Sequence, residues 1–157
     1  MVLCHEKAGP MNHSTFAIEA EWKGGLGGQG FFSAAGLESS YSVPQSLKGA
    51  GIGTNPEELL GAAAASCYLI TLSVILQYQG LKAERLRIRT EMELKASGTP
   101  QIVALKHFPV IEVSRDTTDE TIAQITDAME RADQVCLIAQ ALRPNVKINV
   151  EGRIERK

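Results

Sequence analysis

Apolar and polar positions alternate over short stretches near the start of the chain. Within residues 15–23 the larger side chains alternate between apolar and polar, and residues 30–36 form a second short strand-like stretch after a cluster of glycines. This spacing predicts an antiparallel hairpin with a glycine-rich turn. A third short strand is predicted near residues 40–44, followed by a loop at residues 48–53, where glycines permit many backbone conformations.

The hydrophobic pattern then changes to a long run without charge, residues 59–76, that predicts a single helix. Asn55 is the expected N-cap, Pro56 the first helical residue, and Glu58 the partner of a capping box. Gly80 marks the expected C-terminal stop, so the helix is about 35 Å long at roughly 1.5 Å per residue. Because it is apolar on every side, this helix is expected to pack against other apolar residues on every side.

That need for cover predicts an oligomer. A few short strands and one other helical region can hardly enclose the helix within a small domain, and a second copy of the chain would complete the cover. We therefore expect an intertwined homodimer. A membrane span is disfavoured, because the run contains small and polar residues and lacks flanking aromatic and basic belts.

Strand periodicity returns after the helix. Residues 85–95 set apolar positions against charged ones, and residues 101–114 follow a Ser-Gly-Thr-Pro turn, so the two predict a long hairpin. Pro109 lies inside the second strand, where proline fits an edge or a bulge.

The C-terminal part predicts helix and then strand. A helix is expected from about Asp116 to Asp133, a second apolar helical segment over residues 134–142 that includes Cys136, and a stop at Pro144. Residues 145–154 alternate as a final strand. The order of strands, buried helix, strands, helix and strand is that of an α+β fold.

Composition narrows the class of protein. The chain has 157 residues, 44% of them hydrophobic and 22% charged, which suits a single domain over residues 15–157 with a flexible N-terminus at 1–14. A net charge of -2 with no basic run argues against nucleic acid as a partner. The N-terminus is expected to be neither signal peptide nor anchor, and an odd count of three cysteines favours reduced thiols in the cytoplasm.

Two of the cysteines are the candidates for chemistry. Cys67 lies within the charge-free run and Cys136 in the later apolar segment, and each is either an inert core residue or a sheltered nucleophile. Cys4 with His5 is too short a pattern for a metal site, and His107 is interpreted as an ordinary surface residue of a strand. We therefore expect no metal and no cofactor.

The motif Gly-Thr-Asn-Pro-Glu-Glu-Leu-Leu at residues 53–60, the small-residue stretch ending in Cys67, and a cysteine before Ala141-Leu142 together resemble the OsmC/Ohr family (osmotically inducible protein C and organic hydroperoxide resistance protein). The resemblance covers about residues 15–157. It implies antiparallel sheets wrapped around long buried central helices in an intertwined dimer. It also implies a thiol-dependent peroxidase in which Cys67 matches the peroxidatic cysteine, Cys136 the resolving one, and a disulfide forms between them.

The resemblance further implies the partners of the reaction. The substrates would be organic hydroperoxides, and the reductant a dithiol such as dihydrolipoamide. In the family an arginine from the first hairpin, steered by a glutamate that matches Glu57, assists the nucleophile. This chain has no arginine before Arg85. Lys23 offers the charge on a flexible stem instead of a planar fork.

The departure leaves a second interpretation open, a non-catalytic redox-sensing or apolar-ligand-binding domain of the same fold. Glu57 is also a first-turn glutamate favoured by the helix dipole. Ten residues of straight helix separate it from Cys67 by about 15 Å, so contact between them would need a bridge or a helix break.

Overall fold

The computed structural model describes residues 14–157. The chain divides into two compact units between Asn55 and Pro56, so the single domain expected over residues 15–157 stays a prediction. The flexible terminus expected over residues 1–14, apart from Ser14, lies outside the described residues, as do Cys4 and His5.

The N-terminal unit is a three-stranded antiparallel sheet of β1 (Glu19–Lys23), β2 (Gln29–Ala34) and β3 (Leu37–Tyr41). The predicted hairpin is confirmed, whereas β3 begins and ends three residues earlier than predicted. The reason is local. Ser42 binds Ile52 twice, accepting from the Ile52 amide at 2.6 Å and donating to the Ile52 carbonyl at 2.9 Å, and a short 3₁₀ helix follows at Gln45–Leu47.

The C-terminal unit begins with the predicted long helix, α1 (Pro56–Tyr78). It ends as expected at Gly80, which has a φ of 67°. The Leu81 amide donates to the Leu76 carbonyl at 2.9 Å and the Gly80 amide to the Gln77 carbonyl at 3.1 Å. These two bonds form a Schellman motif, which satisfies carbonyls that the helix end would otherwise leave unpaired.

The two sides of α1 differ in burial although both are apolar. Ala64, Tyr68, Leu72 and Leu76, spaced by four residues, are buried, and the helix packs against the second sheet and the later helices. The opposite side exposes 64% of Ile70 and 88% of Tyr78. Thus one chain leaves one face of α1 open, and the homodimer stays a prediction. By length and composition alone, α1 also meets the criteria for a membrane span.

The second sheet has four strands, β4 (Arg85–Lys95), β5 (Gln101–Val113), β6 (Lys147–Val150) and β7 (Arg153–Arg156). The predicted β4–β5 hairpin is confirmed as an antiparallel pair. The final strand expected over residues 145–154 is two strands, both parallel to β5. The sheet is therefore mixed, with antiparallel pairing limited to β4 and β5.

The placement of Pro109 at a strand edge or bulge is wrong, because β5 has neighbours on both sides and the register shift lies at Glu93/Leu94. The Glu151 amide donates to the His107 carbonyl at 2.8 Å, so residues 107 and 109 both turn their polar backbone groups toward β6 and β7. Pro109 faces the break between those strands, where its missing N–H leaves no ladder bond unmade.

Two helices complete the unit, α2 (Asp119–Val135) and α3 (Leu137–Leu142). The predicted start at Asp116 is three residues early, since Thr118 is the N-cap and its side chain accepts from the Thr121 amide. Cys136 lies in an extended conformation between the helices, as the C-cap of α2 and the N-cap of α3. Because the described residues form both helices and mostly antiparallel sheets, the fold class is α+β, as predicted.

Candidate active site

The structure brings Cys67 and Cys136 together. Cys67 lies in the middle of α1 and is partly buried, whereas Cys136, at the α2–α3 break, is buried. Both are free thiols, and Cys67 packs against the buried cluster that contains Cys136. Two cysteines that are far apart in the chain thus lie in the same packed cluster.

The surroundings of Cys67 favour its thiolate. Burial opposes ionisation, but the Cys136 thiol and the backbone amides of Ile138 and Leu137 donate hydrogen bonds to the sulfur, as does the hydroxyl of Thr71. Together these donors outweigh burial and lower the pKa of Cys67. Hydrogen bonds to the charged form stabilise it, which is the third of the usual causes of a shifted pKa.

The pKa of Cys136 is shifted in the opposite direction. Burial and the neighbouring Cys67 sulfur raise the pKa of Cys136 to about 11, although amides of Ala139 and Ile138 partly oppose the shift. Two interacting thiols share one charge, so stabilising one thiolate disfavours the other. Cys67 is therefore the thiol of the pair that ionises first, whereas Cys136 stays protonated to higher pH.

The α2–α3 break explains how backbone amides reach a side chain of α1. The Cys136 amide completes α2 by donating to the Ala132 carbonyl at 3.0 Å, while the Cys136 carbonyl accepts from the Gln140 amide at 2.9 Å in the first turn of α3. The first amides of a helix have no acceptor within it. Those of Leu137 and Ile138 find the Cys67 sulfur instead.

A polar cluster lies behind Cys67 in the core. Tyr68 is wholly buried and donates from its hydroxyl to the Met129 carbonyl at 3.2 Å. Its ring stacks on His107, with centroids 5.2 Å apart, and the His107 Nδ1 shares a 2.7 Å hydrogen bond with the Thr90 hydroxyl. The interpretation of His107 as a surface residue is wrong, because only 1% of it is exposed.

His107 was misjudged because sequence alone does not show which face of β5 packs against α1. Burial lowers the pKa of His107, while the charge of Asp133 acts in the opposite direction. Burial also raises the pKa of Tyr68, with smaller contributions from Asp133 and Cys136. Both side chains are therefore neutral near pH 7.

Apolar side chains near the two cysteines are exposed. Leu137, whose amide binds Cys67, is 75% exposed, Val135 beside Cys136 is 46% exposed, and Ile70 one turn after Cys67 is 64% exposed. Exposed apolar side chains grouped around a reactive atom favour apolar ligands.

Glu57 lies apart from the two thiols. It belongs to the first turn of α1 and lines a cavity of about 410 Å³ together with residues of α1 and β4, namely Glu58, Gly61, Ala62, Ala65, Thr90 and Met92. Its Oε2 atom is buried and has no hydrogen-bond partner among the described residues. Because α1 is unbroken from Pro56 to Tyr78, Glu57 and Cys67 are about 15 Å apart along the helix axis.

The donors to Cys67 were not foreseen from the sequence. Thr71 had a local signal, since it stands four residues after Cys67 and positions i and i+4 share a helix face. The amides of Leu137 and Ile138 had none, because backbone groups at a distant break are invisible to pattern analysis. The contribution expected from Lys23, in the other unit, stays a prediction.

Comparison with known proteins places this geometry in a family. The family model described as OsmC-like protein matches residues 49–151, which include both cysteines. The chain belongs to the OsmC-like family. This confirms the resemblance drawn from the motif at residues 53–60 and the two cysteines.

Relatives in this family differ in how much their names say about activity. The OsmC-like chain is 30% identical over 141 residues to "Uncharacterized protein YmaD" of Bacillus subtilis strain 168, covering 89% of this chain and 94% of that one. It is 26% identical over 141 residues to an "Organic hydroperoxide resistance protein" of Xanthomonas axonopodis pv. citri strain 306, covering 86% and 92%. The family thus includes proteins linked to organic hydroperoxide resistance.

Solved structures support the same fold. A crystal structure of an organic hydroperoxide resistance protein OsmC from Legionella pneumophila aligns with a TM-score of 0.70 at 22% identity, covering 89% of this chain and 98% of that one. At this identity the likeness concerns the fold alone. The described α+β arrangement is therefore that of OsmC-like proteins.

Proposed function

We propose that the protein is a cytoplasmic, thiol-dependent peroxidase that reduces organic hydroperoxides. The observation that carries the proposal is the packing of Cys67 against the buried cluster that contains Cys136, in surroundings that lower the pKa of Cys67 and raise that of Cys136. A thiolate is the nucleophile in this chemistry, and a protonated neighbour is available for the later step. Relatives named for organic hydroperoxide resistance support the substrate class.

In the proposed reaction the Cys67 thiolate attacks the terminal oxygen of a hydroperoxide. The oxygen–oxygen bond breaks, Cys67 becomes a sulfenic acid, and the leaving alkoxide takes a proton to become an alcohol. The Cys136 sulfur then attacks the Cys67 sulfur, and its proton leaves with the sulfenic hydroxyl as water. A dithiol such as dihydrolipoamide reduces the resulting Cys67–Cys136 disulfide by thiol–disulfide exchange.

The donors around Cys67 offer an alternative to the missing arginine. The Cys136 thiol, two α3 amides and the Thr71 hydroxyl all stabilise negative charge on sulfur, and hydrogen bonds to charged groups are about twice as strong as neutral ones. We propose that they supply the activation in this chain. A role for Glu57 in catalysis would require a group bridging about 15 Å.

Apolar hydroperoxides are the proposed substrates, because Ile70, Val135 and Leu137 are exposed and lie within one helical turn of a cysteine along the chain. A homodimer is proposed as the working form, since the open face of α1 would otherwise present Val74 and Tyr78, 41% and 88% exposed, to water. Hydrogen peroxide, which gains nothing from apolar contact, should be the poorer substrate.

The test is consumption of cumene hydroperoxide in the presence of dihydrolipoamide. Wild type should turn over, Cys67→Ser should not, and Cys4→Ser is the matched control for loss of a thiol. Equal rates in wild type and Cys67→Ser would reject Cys67 as the nucleophile. For Cys136→Ser we expect peroxide to add oxygens to Cys67, because no resolving thiol remains; an unchanged intact mass would reject the pair.

The missing arginine supports a second candidate, a redox-sensing or apolar-ligand-binding domain. In that case the pKa of Cys67 would lie near or above about 8.5, the ordinary value for cysteine. Titration of thiolate absorbance against pH separates the two. A pKa clearly below the ordinary value supports the peroxidase.

A further inference from the structure

One arginine spans the α2–α3 break that carries Cys136. Arg143, just after α3, donates from Nη2 to the Asp133 carboxylate oxygen Oδ2 at 2.9 Å and to the Asp133 carbonyl at 3.1 Å. Asp133 belongs to the last turn of α2. The two bonds therefore fasten the end of α3 to the end of α2, with Cys136 between them.

The contact also completes α2. The last carbonyls of a helix lack partners within it. The Asp133 carbonyl receives Arg143, and the Gln134 carbonyl receives the Gln140 side chain of α3 at 3.3 Å. Two side chains of the short α3 segment thus cap α2, which fixes the angle at the break between them.

Asp133 is an unusual choice for a merely structural position. Its side chain is only 19% exposed, and its Oδ1 atom is buried without a partner among the described residues. A buried carboxylate oxygen without a hydrogen bond destabilises a fold. Polar groups retained at such a cost are often found at functional sites.

We propose that Arg143 is a positioning residue for Cys67: by binding Asp133 across the break, it holds α3 so that the amides of Leu137 and Ile138 face the Cys67 sulfur. The inference rests on the proposed role of Cys67 as the nucleophile. Arg143 touches neither sulfur in this scheme and acts only through the orientation of α3.

An effect of Arg143 on the orientation of α3 and an effect of its charge on Cys67 predict different reaction rates of Cys67 in suitable variants, which makes the proposal testable. Removing Arg143 leaves an unpaired carboxylate, which would disfavour a thiolate by charge alone. Removing the Asp133 carboxylate should favour the thiolate by charge, yet it also removes the 2.9 Å bond to Arg143 that helps to hold α3. Slower alkylation of Cys67 in both variants would therefore indicate that Arg143 acts by positioning α3.

The chain offers a matched control at the other end of α2. Arg156 binds the Asp119 carboxylate at 2.5 Å and the Thr117 carbonyl at 3.2 Å, and its side chain is 42% exposed against 43% for Arg143. Arg156→Ala removes the same kind of contact from the same helix, at the end away from Cys136.

The experiment measures alkylation of Cys67 by iodoacetamide across pH in the full chain, with the modified peptide quantified by mass spectrometry. We expect Arg143→Ala and Asp133→Ala each to slow alkylation at pH 7 by about threefold or more, with the pH profile moved upward, because the thiolate loses donors. Arg156→Ala should match wild type. Thermal unfolding confirms that each variant is folded.

Unchanged rates in Arg143→Ala, or faster alkylation in Asp133→Ala, would overturn the proposal. If Arg143→Ala does not fold, Asp133→Ala decides by the same criterion. Alkylation needs no peroxide, so this result is independent of turnover. If the two variants slow alkylation as expected but the wild-type protein does not consume cumene hydroperoxide, the positioning role of Arg143 stands and the proposed peroxidase function is rejected.

Discussion

Burial of His107 predicts a specific loss of stability in mild acid. The ring is 1% exposed, stacks on Tyr68 and binds Thr90 through Nδ1. Burial lowers the pKa of His107 below its ordinary value of 6.5, so the folded state favours the neutral ring. Its contribution to stability is complete above pH 6.5 and is lost as pH falls toward the folded-state pKa.

The ordinary pKa sets an upper limit on this loss. If His107 stayed neutral in the folded state at pH 5.0, protonation of the unfolded chain would lower the free energy of unfolding by about 2 kcal/mol relative to pH 7.5. The charge of Asp133 opposes the shift, so the loss should fall below that limit. Total stabilities are about 5–15 kcal/mol, which makes such a loss measurable.

The assay is urea unfolding at pH 7.5 and 5.0, at one protein concentration, for wild type and His107→Asn. Asparagine keeps a polar nitrogen near the Nδ1 position but does not titrate. All other ionisable groups are the same in both proteins, so their effects cancel in the comparison. Wild type should lose more stability on acidification than His107→Asn. Equal losses in the two proteins would refute the burial argument.

Two further predictions concern α1. Leu72→Ala, in the fully buried core, should lower the free energy of unfolding by about 3 kcal/mol. Ile70→Ala on the open face should change the stability of a monomer little, and in the proposed homodimer its effect should depend on protein concentration. Chemical denaturation at several protein concentrations compares the two variants, and similar losses that do not depend on concentration would contradict the assigned faces. Gly80→Ala should destabilise by about 1 kcal/mol, because φ is 67° there although the added Cβ meets no atom within 4 Å. Gly61 lies inside α1, and a Cβ added there would be 3.8 Å from the Met92 sulfur, an ordinary contact. Gly61→Ala should therefore raise the free energy of unfolding by roughly 0.5–1 kcal/mol. Shifts in melting temperature of the same sign in Gly80→Ala and Gly61→Ala would contradict this account.

The best sequence predictions rested on local chemistry. The start of α1 at Pro56 and its stop before Gly80 depend on residues within one turn of each end, so both ends could be predicted from the local sequence. The β4–β5 hairpin was equally local, because its strands are joined by a short turn. Cys67 was selected by its place after a motif at the start of the same helix.

The errors arose where distant pairing decides the structure. Whether Pro109 stands at an edge depends on β6 and β7, which come almost forty residues later in the chain. His107 looks like a surface residue until α1 covers its face of the sheet. The break at Cys136 has no glycine or proline to announce it, so neither the amides that face Cys67 nor the role of Arg143 could be read from the pattern.

The break between β6 and β7 makes the evolution of three residues interdependent. A Cβ on Gly152 would lie 2.6 Å from the Met129 sulfur and 3.1 Å from Cγ of Pro109, so a larger residue there requires smaller partners. The backbone carbonyl of Met129 in turn accepts a hydrogen bond from the hydroxyl of Tyr68, the residue next to Cys67. Among related sequences, positions 109, 129 and 152 should therefore change together, because side-chain volume gained at position 152 must be given up at positions 109 and 129.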